Sequence, residues 1–180
     1  EGIETKRNLT INDNGTYNIV GQDDCINASK DNESMITING GIINCSVSST
    51  ASEGDAIDSN GSIIINGGTL NVYASATSPD SGLDSDLGTT INGGTIISTG
   101  NMYDEVKDSS TQNFIYLTFA NQLSAGSKIT IKDSSDNIIV EYTTDRTVTS
   151  FLYSSSLLSD GSYSVYVNDT LQWNGTTTSF

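Results

Sequence analysis

The sequence predicts an all-β protein, a right-handed parallel β-helix (solenoid) of about four coils followed by a small antiparallel β unit. Three observations carry that prediction. The tetrapeptide Ile-Asn-Gly-Gly occurs three times, at 38–41, 65–68 and 91–94, after a looser copy at Ile11-Asn12-Asp13-Asn14-Gly15, so the isoleucines stand 27, 27 and 26 residues apart. Stretches that alternate between apolar and polar residues flank every copy. A third short segment, locked to the same phase, opens each coil. A period of this length marks a unit that cannot bury its apolar face alone and must stack on copies of itself.

Each glycine corner is preceded by a strand, with Leu9/Ile11, Ile36/Ile38, Ile63/Ile65 and Thr89/Ile91 on one side of it, and followed by another, with Tyr17/Ile19, Ile43/Cys45, Leu70/Val72 and Ile96/Ser98. Period-two alternation sends these pairs inward and their neighbours outward. Stacked coils then form interior columns, Ile11-Ile38-Ile65-Ile91 beside Tyr17-Ile43-Leu70-Ile96. The corner glycines are expected to supply positive φ. The opening segments, Gly2-Ile3-Glu4, Asp24-Cys25-Ile26-Asn27, Asp55-Ala56-Ile57-Asp58 and Ser81-Gly82-Leu83-Asp84, make a third face and a triangular coil. Helix is excluded because no stretch keeps apolar spacing of three and four beyond a turn, and β-branched residues, Gly and Asn dominate.

The repeat ends near residue 101, which divides the chain into coils over 1–104 and a cap over 105–180. In the cap, alternation persists without the period (Phe114 to Phe119, Ile129/Ile131, Ile138/Val140/Tyr142, Tyr163/Val165/Val167), with turn residues at 133–137 and 159–161. These read as antiparallel strands packed against the C-terminal end of the solenoid. At the other end, bare parallel edges around Ile3, Leu9 and Ile11 invite end-to-end self-association.

The chain carries a net charge of −15 in 180 residues, and 16 of its 22 acids precede residue 109. That field makes nucleic acid and anionic membrane poor partners. No apolar run approaches the roughly 18 residues of a membrane span, and nothing at the N-terminus resembles a signal peptide. A processed, extracellular or cell-surface chain fits. Cys25 and Cys45 fall in one coil at inward or corner positions and read as small buried hydrophobes, with a disulfide as the alternative. Eight Asn-X-Ser/Thr sequons carry little information in a chain this rich in those residues.

The column Glu4, Asn27, Asp58, Asp84 presents an oxygen in every coil, and Asp23/Asp24, Asp55 and Asp80 lie just upstream of it. Carboxylates stacked about 4.8 Å apart repel, but that gap is about twice a calcium–oxygen bond of 2.3–2.6 Å. A calcium ion between coils satisfies both. Hard oxygen donors without histidine or paired thiolates favour Ca2+ over a transition metal, and Asp24, Asn27, Asp55, Asp58, Asp80 and Asp84 are the candidate ligands. A solvated acidic face is the alternative. Asn12, Asn39, Asn66 and Asn92 read instead as a structural amide ladder. Catalysis finds no support: a serine or cysteine nucleophile lacks a histidine base, no carboxylate pair stands apart from the ladder, and the few solenoid bases (Lys6, Arg7, Lys30) follow no motif.

The run Asp55-Ala56-Ile57-Asp58-Ser59-Asn60-Gly61-Ser62-Ile63-Ile64-Ile65-Asn66-Gly67-Gly68-Thr69-Leu70-Asn71-Val72 and its echo from Ser81 to Ile97 resemble the extracellular carbohydrate-binding domain family of right-handed parallel β-helices. The tail from Phe151 through Tyr163 is similar to that family's C-terminal strand pair. The resemblance implies a fold like that of pectate lyases, binding of cellulose or acidic sugars, and calcium held among Asp55, Asp58, Asp80 and Asp84. Asn27 departs from the pattern by replacing the acid of its column. The expected function is calcium-stabilised, non-catalytic binding of acidic or cellulosic polysaccharide on the solenoid surface. A structural or adhesive stacking unit and a calcium-dependent polysaccharide lyase are the alternatives.

Overall fold

A computed structural model describes residues 1–177. Four coils of three short strands follow one another. They are β1 (Ile3–Thr5), β2 (Asn8–Ile11) and β3 (Thr16–Gly21); β4 (Ile26–Ala28), β5 (Met35–Ile38) and β6 (Ile42–Val47); β7 (Ile57–Ser59), β8 (Ser62–Ile65) and β9 (Thr69–Tyr73); and β10 (Leu83–Ser85), β11 (Thr89–Ile91) and β12 (Thr95–Gly100). Equivalent strands pair in parallel to give the three faces β1-β4-β7-β10, β2-β5-β8-β11 and β3-β6-β9-β12. The fold is therefore the β-solenoid the repeat predicts.

Register is the expected one on all three faces. Ile11 stands opposite Ile38, Ile38 opposite Ile65 and Ile65 opposite Ile91. The second column, Tyr17-Ile43-Leu70-Ile96, holds equally. Ile26, Ile36, Ile38, Ile43, Ile57, Ile63, Ile65, Leu70, Ile91 and Ile96 have no exposed surface. Each such burial is worth roughly 1.5–3 kcal/mol.

The two glycines of each corner have different jobs. Only the second takes positive φ, at +90° in Gly41, +95° in Gly68 and +98° in Gly94. The first is required by close approach, since a Cβ on Gly40, Gly67 or Gly93 would lie 2.5–2.8 Å from a carbonyl oxygen of the preceding coil. Beside the corners runs the amide ladder. Asn39 Nδ2 donates to Asn12 Oδ1 (2.6 Å), Asn66 to Asn39 (2.7 Å) and Asn92 to Asn66 (2.9 Å), and Thr111 Oγ1 closes the series on Asn92 Oδ1. A second ladder, Asn18-Asn44-Asn71, lies on the third face. Cys25 and Cys45 are free and buried. The contact with Cys25, followed by burial, pushes the Cys45 thiol up, away from reactivity.

The C-terminal region does two things. After β13 (Phe114–Leu123), the chain forms β14 (Lys128–Asp133), β15 (Ile138–Thr143), β16 (Val148–Ser154), β17 (Gly161–Val167) and β18 (Thr170–Thr177). β16 lies antiparallel on β12, and β13 lies on β16, so the third face continues past the last coil with reversed polarity. β15-β14-β17-β18 form a separate antiparallel sheet. β16 and β17, the tail strands of the resemblance, are thus consecutive in the chain but sit in different sheets. A second core fills the space between them, with Ile115, Phe151 and Tyr153 against Ile129, Ile131, Tyr163 and Val165.

The cap also closes the C-terminal end of the second face. Thr89 and Ile91 of β11 exchange hydrogen bonds with Glu105, Lys107, Thr111 and Gln112. β1, β2 and β3 remain the outer edges of their sheets. One residue staples cap to coils. Arg146 Nη1 donates to the carbonyls of Val47 (3.0 Å) and Ala74 (2.9 Å), Nη2 to Ser46 and Asp145, and Nε to Asp145, using the whole guanidinium. Its plane also lies over Tyr73, whose ring packs on Tyr142. Tyr73 is therefore covered, leaving Tyr103 as the outward aromatic of the solenoid side, 57% exposed.

Two neighbours on β8 test this packing. Ile65→Ala should cost about 2–5 kcal/mol through the cavity it leaves, lowering Tm by roughly 2–4 °C for each kcal/mol. Ile64→Ala, on the outward side of the same strand, should cost under about 1 kcal/mol. Thermal melts of the two variants would show the reverse order if the strand were inverted.

Candidate metal centre

The centre is built on the first face, where β1, β4, β7 and β10 stack Glu4, Asn27, Asp58 and Asp84 in one column. A second column stands two residues ahead of each buried aliphatic. There Asp24 Oδ1 accepts the Asp55 backbone N–H (2.9 Å), and Asp55 Oδ1 accepts that of Ser81 (2.6 Å). Each carboxylate thereby fastens its own coil to the next. The two columns converge, and carboxylate oxygens of Asp55, Asp58 and Asp84 lie within 4.8 Å of one another.

All three side chains are partly buried. Burial pushes Asp55 up to about 8, with Asp84 and Asp80 adding repulsion. It pushes Asp58 up to about 7, helped by Asp24 and Asp84. Asp84 and Asp24 are raised by burial as well. No basic side chain relieves the crowd, because Lys6, Arg7, Lys30 and Lys107 pair with Glu4, Glu33, Glu33 and Glu105. Such a cluster must hold protons or a cation at neutral pH.

The six candidate residues separate. Asp55, Asp58 and Asp84 come together. Asp80 is drawn off, accepting the Gly54 N–H at 2.7 Å and the Ser78 hydroxyl. Asp24 belongs to another acidic group, with Glu1 and Asp23. Asn27 donates Nδ2 to Asp24 Oδ2 at 2.5 Å, while its own Oδ1 is buried and receives no hydrogen bond. An orphaned carbonyl oxygen in the column, next to Asp24 and opposite Asp58, is a group a hard cation would satisfy.

Comparison with protein-family models, characterised proteins and solved structures finds no match. The donor chemistry must speak for itself. Two oxygens on one calcium stand at most about 5 Å apart, so the spacing of Asp55, Asp58 and Asp84 suits that ion. Three carboxylates leave part of a shell of roughly six to eight oxygens for water or a ligand.

Asp104 escaped sequence reasoning. Its Oδ2 accepts both the N–H (3.0 Å) and the hydroxyl (3.1 Å) of Ser85, continuing the carboxylate-to-coil fastening onto the last coil. Burial and the nearby Asp84 push it up to about 6. It follows the repeat's end, so no periodic position announces it.

Asp55, Asp58 and Asp104 bind protons more tightly folded than unfolded, so without metal the folded state carries extra protons between about pH 4 and the raised values. Stability is then full at the acid side of that window and is lost as pH rises through about 6 to 8. In chelator, Tm should fall from pH 5 to pH 8, and Asp58→Asn should flatten the fall. A Tm that climbs over that interval would refute the crowded cluster.

Proposed function

We propose that the chain is an extracellular, calcium-stabilised solenoid that binds polysaccharide without cleaving it. The observation that carries the metal half is the convergence of Asp55, Asp58 and Asp84 within 4.8 Å, with no base among them. The polysaccharide half draws on the resemblance of residues 55–72 and 81–97 to carbohydrate-binding β-helices. On the part of the third face that Arg146 and the cap leave uncovered, Asn18, Asn44, Asn71, Thr69 and Thr95 offer polar groups to a polymer of hydroxyls.

The chemistry of the centre supports binding over lysis. A calcium-assisted lyase needs a positioned base beside the metal, and Lys6, Arg7, Lys30 and Lys107 are each paired with a glutamate rather than with Asp55, Asp58 or Asp84. An incompletely filled calcium shell can instead accept a sugar carboxylate. The protein's own charge of −15 would otherwise repel an acidic glycan.

The stacking-unit reading is favoured by one feature, the outer edges β1, β2 and β3, where Val20 is 70% exposed. Because β11 and β12 are engaged by the chain's own cap and the Ser85 N–H of β10 by Asp104, such association would join two coil ends and stop. It would not propagate as a filament. Sedimentation of the calcium-loaded chain separates the readings, since a dimer that binds no glycan would favour the second.

An ion bound only to the folded form adds about 2.7 kcal/mol at a hundredfold excess over Kd. Calcium should thus raise Tm over the chelated protein by roughly 5–10 °C. Asp58→Ala and Asp84→Ala should abolish that rise, and Asp160→Ala, in the cap, should keep it. Binding of polygalacturonate should need calcium, vanish in chelator and yield no unsaturated product. Calcium-independent binding would overturn the bridging mechanism, and an ultraviolet-absorbing product would make the protein a lyase.

A further inference from the structure

A concave aromatic feature of the cap lies where its two sheets part. A groove of about 250 Å3 runs between β13 and the edge strand β18, lined by Thr118, Phe119, Ala120, Val165, Gln172 and Trp173. Trp173 stands opposite Val165 and Leu171 opposite Tyr166, so Gln172 is an extra residue, a β-bulge. Bulges re-aim side chains. This one turns Trp173 to the inner face of its sheet, toward β13.

The indole lies across Gly175, where a Cβ would fall inside the ring. Glycine there seats the tryptophan, which keeps 36% of its surface exposed. Gln172 Nε2 donates to the Thr170 carbonyl at 3.3 Å, which leaves its Oε1 open. Among the described residues neither that oxygen nor the indole N–H has a protein partner. Aromatic surface is thus bracketed by one free donor and one free acceptor.

We propose that this groove is the subsite for one neutral pyranose ring of the bound polysaccharide. A sugar ring has an apolar C–H face, which the indole and phenyl surfaces accept, and equatorial hydroxyls, which match the indole N–H and the Gln172 oxygen. None of its lining residues, Leu117 included, is charged, and the protein's −15 repels anions, so on the polysaccharide-binding reading the ring it takes is a neutral one. The volume is below the roughly 300–1,000 Å3 of pockets for drug-sized ligands, which fits a single ring of a chain that continues along the surface. The inference rests on the polysaccharide-binding reading and assigns it a place.

Trp173 is the chain's single tryptophan, so its fluorescence reports on the groove alone. Calcium-loaded protein titrated with cellohexaose, mannohexaose or xylohexaose should give a saturable emission shift and protection from acrylamide with at least one of them. Calorimetry should find Trp173→Ala and Phe119→Ala at least about tenfold weaker, equivalent to about 1.4 kcal/mol, with Tm preserved in Trp173→Ala. Gly175→Ala, which keeps the indole but unseats it, should weaken binding as well. Glycan bound equally by Trp173→Ala, with no emission change in the unsubstituted protein, would place the site elsewhere and spare the function. Failure of every neutral and acidic glycan to bind would sink the function and this subsite together. A tryptophan response to an extended peptide but to no glycan would make the groove a strand-docking edge and overturn the proposal.

Discussion

Everything in this molecule depends on parallel strands stacking at equal phase, coil on coil. The backbone ladder fixes the spacing near 4.8 Å, and the buried isoleucine columns fix the register, because a slip of one residue would turn every inward side chain outward. Whatever chemistry one coil carries at a given phase is then delivered to its neighbours at that distance. A solenoid therefore amplifies self-compatible residues and punishes the others.

The two polar columns show both outcomes. Asn carries a donor and an acceptor, so Asn12-Asn39-Asn66-Asn92 closes into a chain of hydrogen bonds without outside help. Asp carries only acceptors when ionised. Backbone N–H groups of the next coil satisfy one oxygen each of Asp24 and Asp55, and Asn27 takes the other oxygen of Asp24, but carboxylate oxygens of Asp55, Asp58 and Asp84 gather within 4.8 Å of one another in a partly buried setting. Burial and the repulsion among these groups together raise the proton affinity of Asp55 and Asp58, and a divalent cation would relieve both. The corner glycines obey the same rule, since only their missing side chains let successive coils approach so closely.

Most of the solenoid was legible in the sequence because its constraints are periodic. Inward columns, corners and the first amide ladder all follow from one repeat read at one phase. Of the metal candidates, phase placed Asp55, Asp58 and Asp84 correctly beside each other, but it could not foresee that Ser78 and Gly54 would claim Asp80, or that Asn27 would turn its amide to Asp24. Asp104, Arg146 and Trp173 lie outside the repeat. Their roles arise from tertiary approach between cap and coils, or between two cap sheets, and no local spacing encodes that. The handover of the third face from parallel to antiparallel at β16 was hidden for the same reason, since alternation alone does not name a strand's partner.

The central claim is that the crowded first-face carboxylates are a calcium site. A crystal structure grown in millimolar calcium tests it most directly. The account predicts a single ion with oxygens of Asp55, Asp58 and Asp84 at about 2.3–2.6 Å. Carboxyl groups hydrogen-bonded to one another through retained protons, with no ion between them at neutral pH, would contradict it.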